Sequence, residues 1–203
     1  MGWYDRHILP HLIDCACGMG AVMQTRAQVV PLAHGRVLEI GIGSGLNLRF
    51  YDPNKVSAIV GVDPCAAMQK LAQQRAAAIS IPVQMIALEL GQIQAADASF
   101  DSIVCTFTLC TIPDAVAALQ EMRRVLKPGG KLLFSEHGMA PDVSVQCWQN
   151  RLTPLWKPLA GGCHLNRDIP ALLRAGGFQI EKIDSSYLKG PRPMTWVSRG
   201  WAV

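Results

Sequence analysis

Three glycines at every second position, Gly41, Gly43 and Gly45 in "VLEIGIGSGLN", follow a short apolar run that starts at Val37. Glycine admits left-handed backbone and lets a ligand approach the main chain, so this spacing suits a loop lying against a small molecule. Glu39 stands two residues ahead of the first glycine, and Asp63 closes the next apolar run about twenty residues on. A carboxylate so placed can accept hydrogen bonds from the hydroxyls of a ribose. A dinucleotide fingerprint would want glycine after Gly45, where Leu46 stands, and no GK[ST] follows, which excludes a P-loop. The chemistry left is recognition of a nucleoside-like ligand with a ribose and no phosphate.

The elements that must hold this loop alternate between strand and helix. Arg36–Ile40 is a compact apolar strand, and Ser44–Tyr51 is predicted helical until Asp52-Pro53-Asn54 stops it. Val56–Val62, "VSAIVGV", has the continuous β-branched character of a strand buried on both faces of a parallel sheet. Pro64–Ser80 is predicted as a helix, Val83–Ala87 and Ser102–Phe107 as strands, Asp114–Leu126 as a helix and Lys131–Ser135 as a fifth strand. Residues 138–167, with Trp148, Trp156 and several prolines, break the alternation and are expected to form an inserted cap. Asp168–Ala175 returns to helix, and 178–187 and 194–203 read as two closing strands. The expected fold is a single α/β domain: a helical lid over 1–34, a ligand-binding core over 35–137, the cap over 138–167 and closing elements over 168–203.

Composition narrows the function classes. The chain has 203 residues, half of them hydrophobic and 17% charged, which excludes a disordered chain and suits one large domain. Its net charge is only +4, and no Lys/Arg block of the nucleic-acid-binding type occurs. The surplus lies in residues 138–203, with eight basic and four acidic groups. Seven scattered cysteines fit reduced thiols better than a disulfide framework. Cys15 and Cys17, with His7 and His11 upstream, are weighed as metal ligands against ordinary helix thiols, and no metal site is expected. "MGWYDRHILPHLID" puts charges and prolines where a signal peptide carries its apolar stretch, and the run to Met23 is too short and polar to span a bilayer. A cytoplasmic protein is expected.

The motifs "VLEIGIGSGLN", "VGVDP", "ADASFDSIVCTFTLCTIPD" and "LKPGGKLLFSEHG" recur in order over about residues 35–137 and resemble those of class I S-adenosylmethionine-dependent methyltransferases. The resemblance implies a Rossmann-like, seven-stranded, mostly parallel sheet with the last strand antiparallel and helices on both faces. It implies S-adenosylmethionine as cofactor and S-adenosylhomocysteine as product. Gly41, Gly43 and Gly45 would pass under the methionyl part, with Glu39 ordering the loop or reaching the amino group through water, and Asn47 would be a further cofactor-binding residue. Asp63 would hold the ribose, Pro64 and Cys65 would line the adenine, and Glu89 and Leu90 would take its amino edge. Thr106 would stand near the transferred methyl.

"YDRHILPHLID", "GGCHLNRDI" and "GPRPMTW" further resemble a subgroup of small thiol methyltransferases and bacterial relatives loosely labelled phospholipid methyltransferases. That likeness puts a small thiol or sulfide first as methyl acceptor, with phosphatidylethanolamine or a small amine as the alternative. A non-catalytic cofactor-binding module is the third reading. Animal members carry an N-terminal membrane anchor that this sequence is read as lacking, leaving peripheral contact at most. His137, at the end of the fifth strand, is the expected catalytic or substrate-contacting imidazole, its other reading being a strand-end cap. Tyr4, His7, His164, Asn166, Arg167, Tyr187, Arg192 and Trp196 are the expected substrate-binding residues. The basic final third would steer an anionic acceptor or dock on anionic lipid. Oligomeric state is not legible, and no nucleic-acid partner is expected.

Overall fold

The computed structural model describes residues 8–203 apart from 87 and 90, with backbone alone at 88 and 89. Two helices come first, α1 (Leu9–Cys17) and α2 (Gly20–Val29). Then follow β1 (Gly35–Ile40), β2 (Val56–Val62), α3 (Ala66–Ala76), β3 (Val83–Ile86), β4 (Leu88–Glu89), β5 (Gln92–Ile93) and β6 (Phe100–Thr106). The chain closes through α4 (Ala115–Val125), β7 (Leu126–His137), α5 (Val143–Leu159), α6 (Ile169–Ala175), β8 (Ile180–Tyr187) and β9 (Trp196–Ala202). Seven strands form one sheet in the order β3-β2-β1-β6-β7-β9-β8, and β9 runs antiparallel to both neighbours. The expected fold class is the one observed.

Strand chemistry explains the layering. Neighbouring residues of a strand point to opposite faces, and here both faces are apolar. Leu38, Ile103 and Leu132 pack with Leu119, Met122 and Val125 of α4 and Leu173 of α6. Their chain neighbours Val37, Val104 and Leu133 pack on the other side with Val29 and Val30 of the N-terminal segment and Ala72 of α3. Asp114 and Asp168 start α4 and α6 by accepting the backbone N–H of Ala117 and Ala171, each at 3.0 Å. The strand order reverses between β1 and β6, so the chain leaving β1 and the chain leaving β6 part there and open a crevice.

One expectation is corrected, and two features were not expected. Residues 44–51 hold one 3₁₀ turn, Leu48–Phe50, rather than a helix. The side chains of Asn47 and Tyr51 are drawn inward to Glu39, which competes with helical bonding. The proline-rich segment is a continuous seventeen-residue helix, α5, running through Pro154 and Pro158. Its fully buried Gln149 donates to Gly138 O and Pro193 O and accepts from Ala140 N, tying the helix to the end of β7. Those tertiary bonds offset part of the cost of the two interior prolines, about 3 kcal/mol each. The small β4–β5 hairpin was not anticipated, being too short to leave a periodic trace.

Beyond β6 the chain is held by a buried carboxylate on β7. Glu136, 0% exposed, accepts the N–H of Thr108 at 2.9 and 3.0 Å, the N–H of Cys110 at 3.4 Å and the Cys105 thiol at 3.5 Å. Burial pushes this carboxyl up to about 7, against the opposing pull of the backbone donors. Unfolding exposes it and returns it to about 4.3, so between those values the folded chain keeps a proton that the unfolded chain has released. Stability conferred at Glu136 therefore falls as pH rises from about 4.3 to about 7 and is constant above. We expect the melting temperature of Glu136→Gln to decline less than that of the native chain between about pH 5 and 7.5. Parallel slopes in thermal melts across that range would contradict this account.

Candidate active site at the carboxyl ends of the strands

The crevice opens into a cavity of about 1300 Å³. Its floor is the glycine loop, the chain at 62–65 and the β6 end at 106–108. Its walls are α1 through Leu9, Ile13 and Cys17, α2 through Arg26, α4 through Ala117, Glu121 and Met122, and α5 through Pro154, Lys157 and Pro158. Gly161 and Gly162, just beyond α5, close one side.

All three glycines of the loop have positive φ, at 66°, 55° and 81°. Their surroundings differ. A Cβ on Gly41 would lie 2.2 Å from the Thr108 hydroxyl, and one on Gly45 would lie 3.1 Å from Cα of Ala72. These two glycines are required by the protein's own packing. Gly43 has nothing closer than the Met68 methyl at 3.5 Å, and it is the one whose open face admits a ligand. Asp63 fixes this geometry: its carboxylate accepts Gly43 N at 2.9 Å and Cys65 N at 2.8 Å. Burial pushes Asp63 up from its ordinary value, and those two backbone donors oppose the shift.

Beneath the loop lies a buried polar network. Glu39, 1% exposed, accepts Asn47 Nδ2 at 2.9 Å and the Tyr51 hydroxyl at 2.7 Å. Asn47 Nδ2 also donates to the Thr106 hydroxyl at 2.9 Å, and Arg26 donates to Asn47 Oδ1 at 2.9 Å and to Thr106 Oγ1. Burial pushes Glu39 up to about 7, with Tyr51, Asn47 and Arg26 pulling the other way. Arg26 is 5% exposed, its guanidinium stands 5.1 Å from the centre of the Phe107 ring, and its Nε has no hydrogen-bond partner. A cation so desolvated, without a carboxylate in direct contact, makes this end of the cavity attractive to an anion.

A second tie joins the lid helix to the loop. Arg75 of α3 holds Asp14 of α1 at 2.9 and 3.1 Å and the Ser44 carbonyl at 2.6 Å, while the Ser44 hydroxyl donates to Asp14. The Arg75 partner holds Asp14 below the usual carboxylate range. Neither Arg26 nor Arg75 was singled out from sequence. Arg26 did leave a trace, as the only Lys or Arg between residues 7 and 35, set among apolar neighbours.

The anticipated cofactor residues gather here. Gly41, Gly43, Asp63, Pro64, Cys65 and Thr106 line the cavity, and Glu39, Asn47 and Gly45 support the loop from behind. Leu90 and the side chain of Glu89 lie outside the described residues, as do Tyr4 and His7. The other expected substrate residues do not line the cavity. His137 is 7% exposed, with Nδ1 3.8 Å from the Cys163 sulfur and Nε2 without a partner. His164 places Nδ1 3.1 Å from Cys110 O, and Asn166 donates to Asn150 Oδ1 at 2.7 Å. Arg167 donates to the carbonyls of Leu109 and Pro113, which spends its donors on the loop after β6. Tyr187 and Arg192 both bond Asp142, Arg192 lies 4.4 Å over the Tyr187 ring, and Trp196 meets that ring edge-on at 4.8 Å. The walls facing the site are built by α1, α2, α4 and α5 instead.

Among the described residues, every carboxylate lining the cavity is already engaged. Asp14 pairs with Arg75, Asp63 with two backbone donors, Asp114 with Ala117 N, and Glu121 with Arg124 and Ile93 N. Among the described residues no histidine lines it.

Residues 38–134 match the family described as methyltransferase domain. The chain is 34% identical to thiol S-methyltransferase TMT1B of Homo sapiens, over 83% of this chain and 69% of that protein. It is 34% identical to thiol S-methyltransferase TMT1B of Rattus norvegicus, over 81% of this chain and 66% of that protein. The chain thus spans about two thirds of the length of these curated relatives. Its fold is shared with a solved S-adenosylmethionine dependent methyltransferase from Mesorhizobium loti, at a TM-score of 0.67 and 20% identity, over 92% of this chain and 99% of that one.

The loop geometry carries its own expectation. Gly41→Ala would force a side chain into left-handed backbone against Thr108, whose N–H is held by Glu136, so the loop rather than Thr108 must yield. Calorimetric titration with S-adenosylhomocysteine should show binding weakened by at least about tenfold, a loss of about 1.4 kcal/mol. Native affinity in the folded variant would mean that the loop's shape does not govern that ligand.

Proposed function

Because this chain belongs to the class I S-adenosylmethionine-dependent methyltransferases, we propose that it methylates a small thiol or hydrosulfide on sulfur. The observation that carries this reading is the state of the bases around the cavity. Among the described residues every lining carboxylate is committed to an intramolecular partner and no imidazole faces the space. An ammonium or neutral hydroxyl acceptor must lose a proton to a base before it can attack. A thiol, with a free value near 8.5, is already partly thiolate at neutral pH and needs none. The buried Arg26 favours the charged form further, as a nearby cation does for any thiol.

S-adenosylmethionine fits the residues present: an open glycine face at Gly43, a carboxylate at Asp63 and an apolar slot between Pro64, Met68 and Ile93. When bound it supplies an electrophilic methyl on a sulfonium, which a nucleophile displaces in line. In this reading Gly43 seats the methionyl part on the loop that Asn47 supports, Asp63 takes the ribose hydroxyls on its remaining lone pairs, and Pro64 and Cys65 lie along the base. Glu89 and Leu90, which the family resemblance assigns to the adenine edge, would complete the cofactor contacts. Thr106 and Arg26 hold the acceptor end, and α1 and α5 exclude water from it. The helical segment before β1 acts as a lid, and α5 as the cap.

The test is a panel of acceptors at saturating cofactor, read as S-adenosylhomocysteine formed: hydrosulfide, methanethiol and larger thiols beside an alkylamine and phosphatidylethanolamine. Thiols of equal size should turn over faster the more thiolate they hold. An amine or phosphatidylethanolamine outrunning every thiol would overturn the reading. Arg26→Met should lower kcat/KM for a thiol by at least about tenfold and move the acid limb of its pH–rate profile to higher pH, with Arg26→Lys recovering part of both. An unmoved profile would remove Arg26 from the acceptor's environment.

A further inference from the structure

Behind the wall that carries Gly161 and Gly162 stands a group of sulfur and nitrogen atoms that the methyl transfer does not use. Cys163 follows the two glycines and is half-buried. Its sulfur lies 3.8 Å from His137 Nδ1, and the N–H of the next residue, His164, donates to the Cys110 carbonyl, which sets the Cys163 segment against Cys110. Cys110 is 3% exposed and fixed in position, since its N–H reaches Glu136 and its carbonyl accepts His164 N at 2.8 Å. The other ring nitrogen of His137, Nε2, is buried without a partner. Arg167 and Trp156 complete the surroundings of the sulfur. A thiol beside an imidazole, backed by a second thiol, is the arrangement of an attacking cysteine and its resolving partner.

We propose that Cys163 and Cys110 form a thiol-exchange site, at which a low-molecular-weight disulfide is reduced to two thiols and an internal Cys110–Cys163 bond is left. Cys163 transfers its proton to the adjacent His137 ring, and its sulfur attacks one sulfur of the disulfide. That bond breaks, the first thiolate leaves and takes the proton, and Cys163 carries a mixed disulfide. Cys110 then attacks the Cys163 sulfur, the second thiolate leaves, and it takes the Cys110 proton. Two cysteine thiols are oxidised and one external disulfide is reduced, so electrons and protons balance. Excess small thiol runs the same steps backwards and restores both cysteines.

The division of labour between the two sulfurs follows from their settings. The neighbouring Cys110 side chain and the His137 ring hold Cys163 well below the ordinary thiol range, to about 5, although burial opposes them. The neighbouring Cys163 side chain, with burial, pushes Cys110 up. Cys163 is thus the attacking thiolate and Cys110 the protonated resolver. Closing the bond would tie the 160–164 loop to the chain held by Glu136, where Gly162 already sits against Thr111 O, 3.4 Å from where its Cβ would be. The inference rests on this geometry and is independent of which acceptor is methylated.

The chain supplies its own controls, because Cys15 and Cys147 are exposed. Full-length protein is treated at neutral pH with bis(2-hydroxyethyl) disulfide, quenched by acid and mapped by peptide mass spectrometry. We expect a Cys110–Cys163 bond to form at least about tenfold faster than adducts at Cys15 or Cys147. In Cys110→Ser the mixed disulfide should accumulate on Cys163, and in Cys163→Ser Cys110 should stay reduced. The proposal is overturned if the exposed cysteines react first in the native chain, or if Cys163 is modified but never passes the bond to Cys110. Measurement on the native protein keeps the test decisive even where a variant folds poorly.

Discussion

Two carboxylates, Glu39 and Glu136, lie buried where β1 and β7 end, and most of what surrounds the cavity hangs from them. A charge in so dry a place costs several kcal/mol unless it is fully hydrogen-bonded. Each glutamate meets that demand by gathering chain that would otherwise be free. Glu39 draws in Asn47 and Tyr51 and so bends the segment after the glycines away from a helix. Glu136 collects the backbone N–H groups that follow β6 and presents Thr108 and Thr111 to the cavity. The parallel sheet supplies rigid ends, and the two carboxylates turn those ends into shaped loops.

The shape explains a division between what the protein holds and what it leaves to the ligand. Among the described residues the acidic groups around the cavity serve structure, and the His137 imidazole faces the Cys163 thiol. A strongly desolvated cation, Arg26, also faces the space. Such a pocket contributes position, dryness and a favourable potential; it requires a nucleophile that arrives already reactive. Sulfur acceptors meet that requirement at neutral pH.

Much of this was legible in the sequence. The strand at Val56–Val62 matched its apolar run residue for residue, and the glycines with Asp63 announced a loop and its anchor because both signals are local. Other features depend on pairing across the chain. Arg26 matters because Thr106, eighty residues away, stands beside it, and no local pattern encodes that meeting. The α5 helix was hidden by Pro154 and Pro158, whose breaking tendency is partly offset by the contacts of Gln149. His164, Arg167, Arg192 and Trp196 carry the residue types of a binding site, yet their donors and rings are spent on loops and on one another. Residue type alone does not distinguish a side chain that faces a ligand from one that staples a loop.

The Asp14–Arg75–Ser44 tie has a thermodynamic corollary. It is partly exposed, with side-chain accessibilities of 37% for Arg75 and 25% for Asp14, and it joins α1 to the strand-end loop that forms the cavity floor. Floor and roof of the site are therefore two ends of one coupled equilibrium. A first ligand that orders the loop lowers the entropy still to be lost when α1 settles over a second, and the same coupling acts in reverse. Any coupling between two ligands carried by this tie would be reciprocal and would need no contact between them.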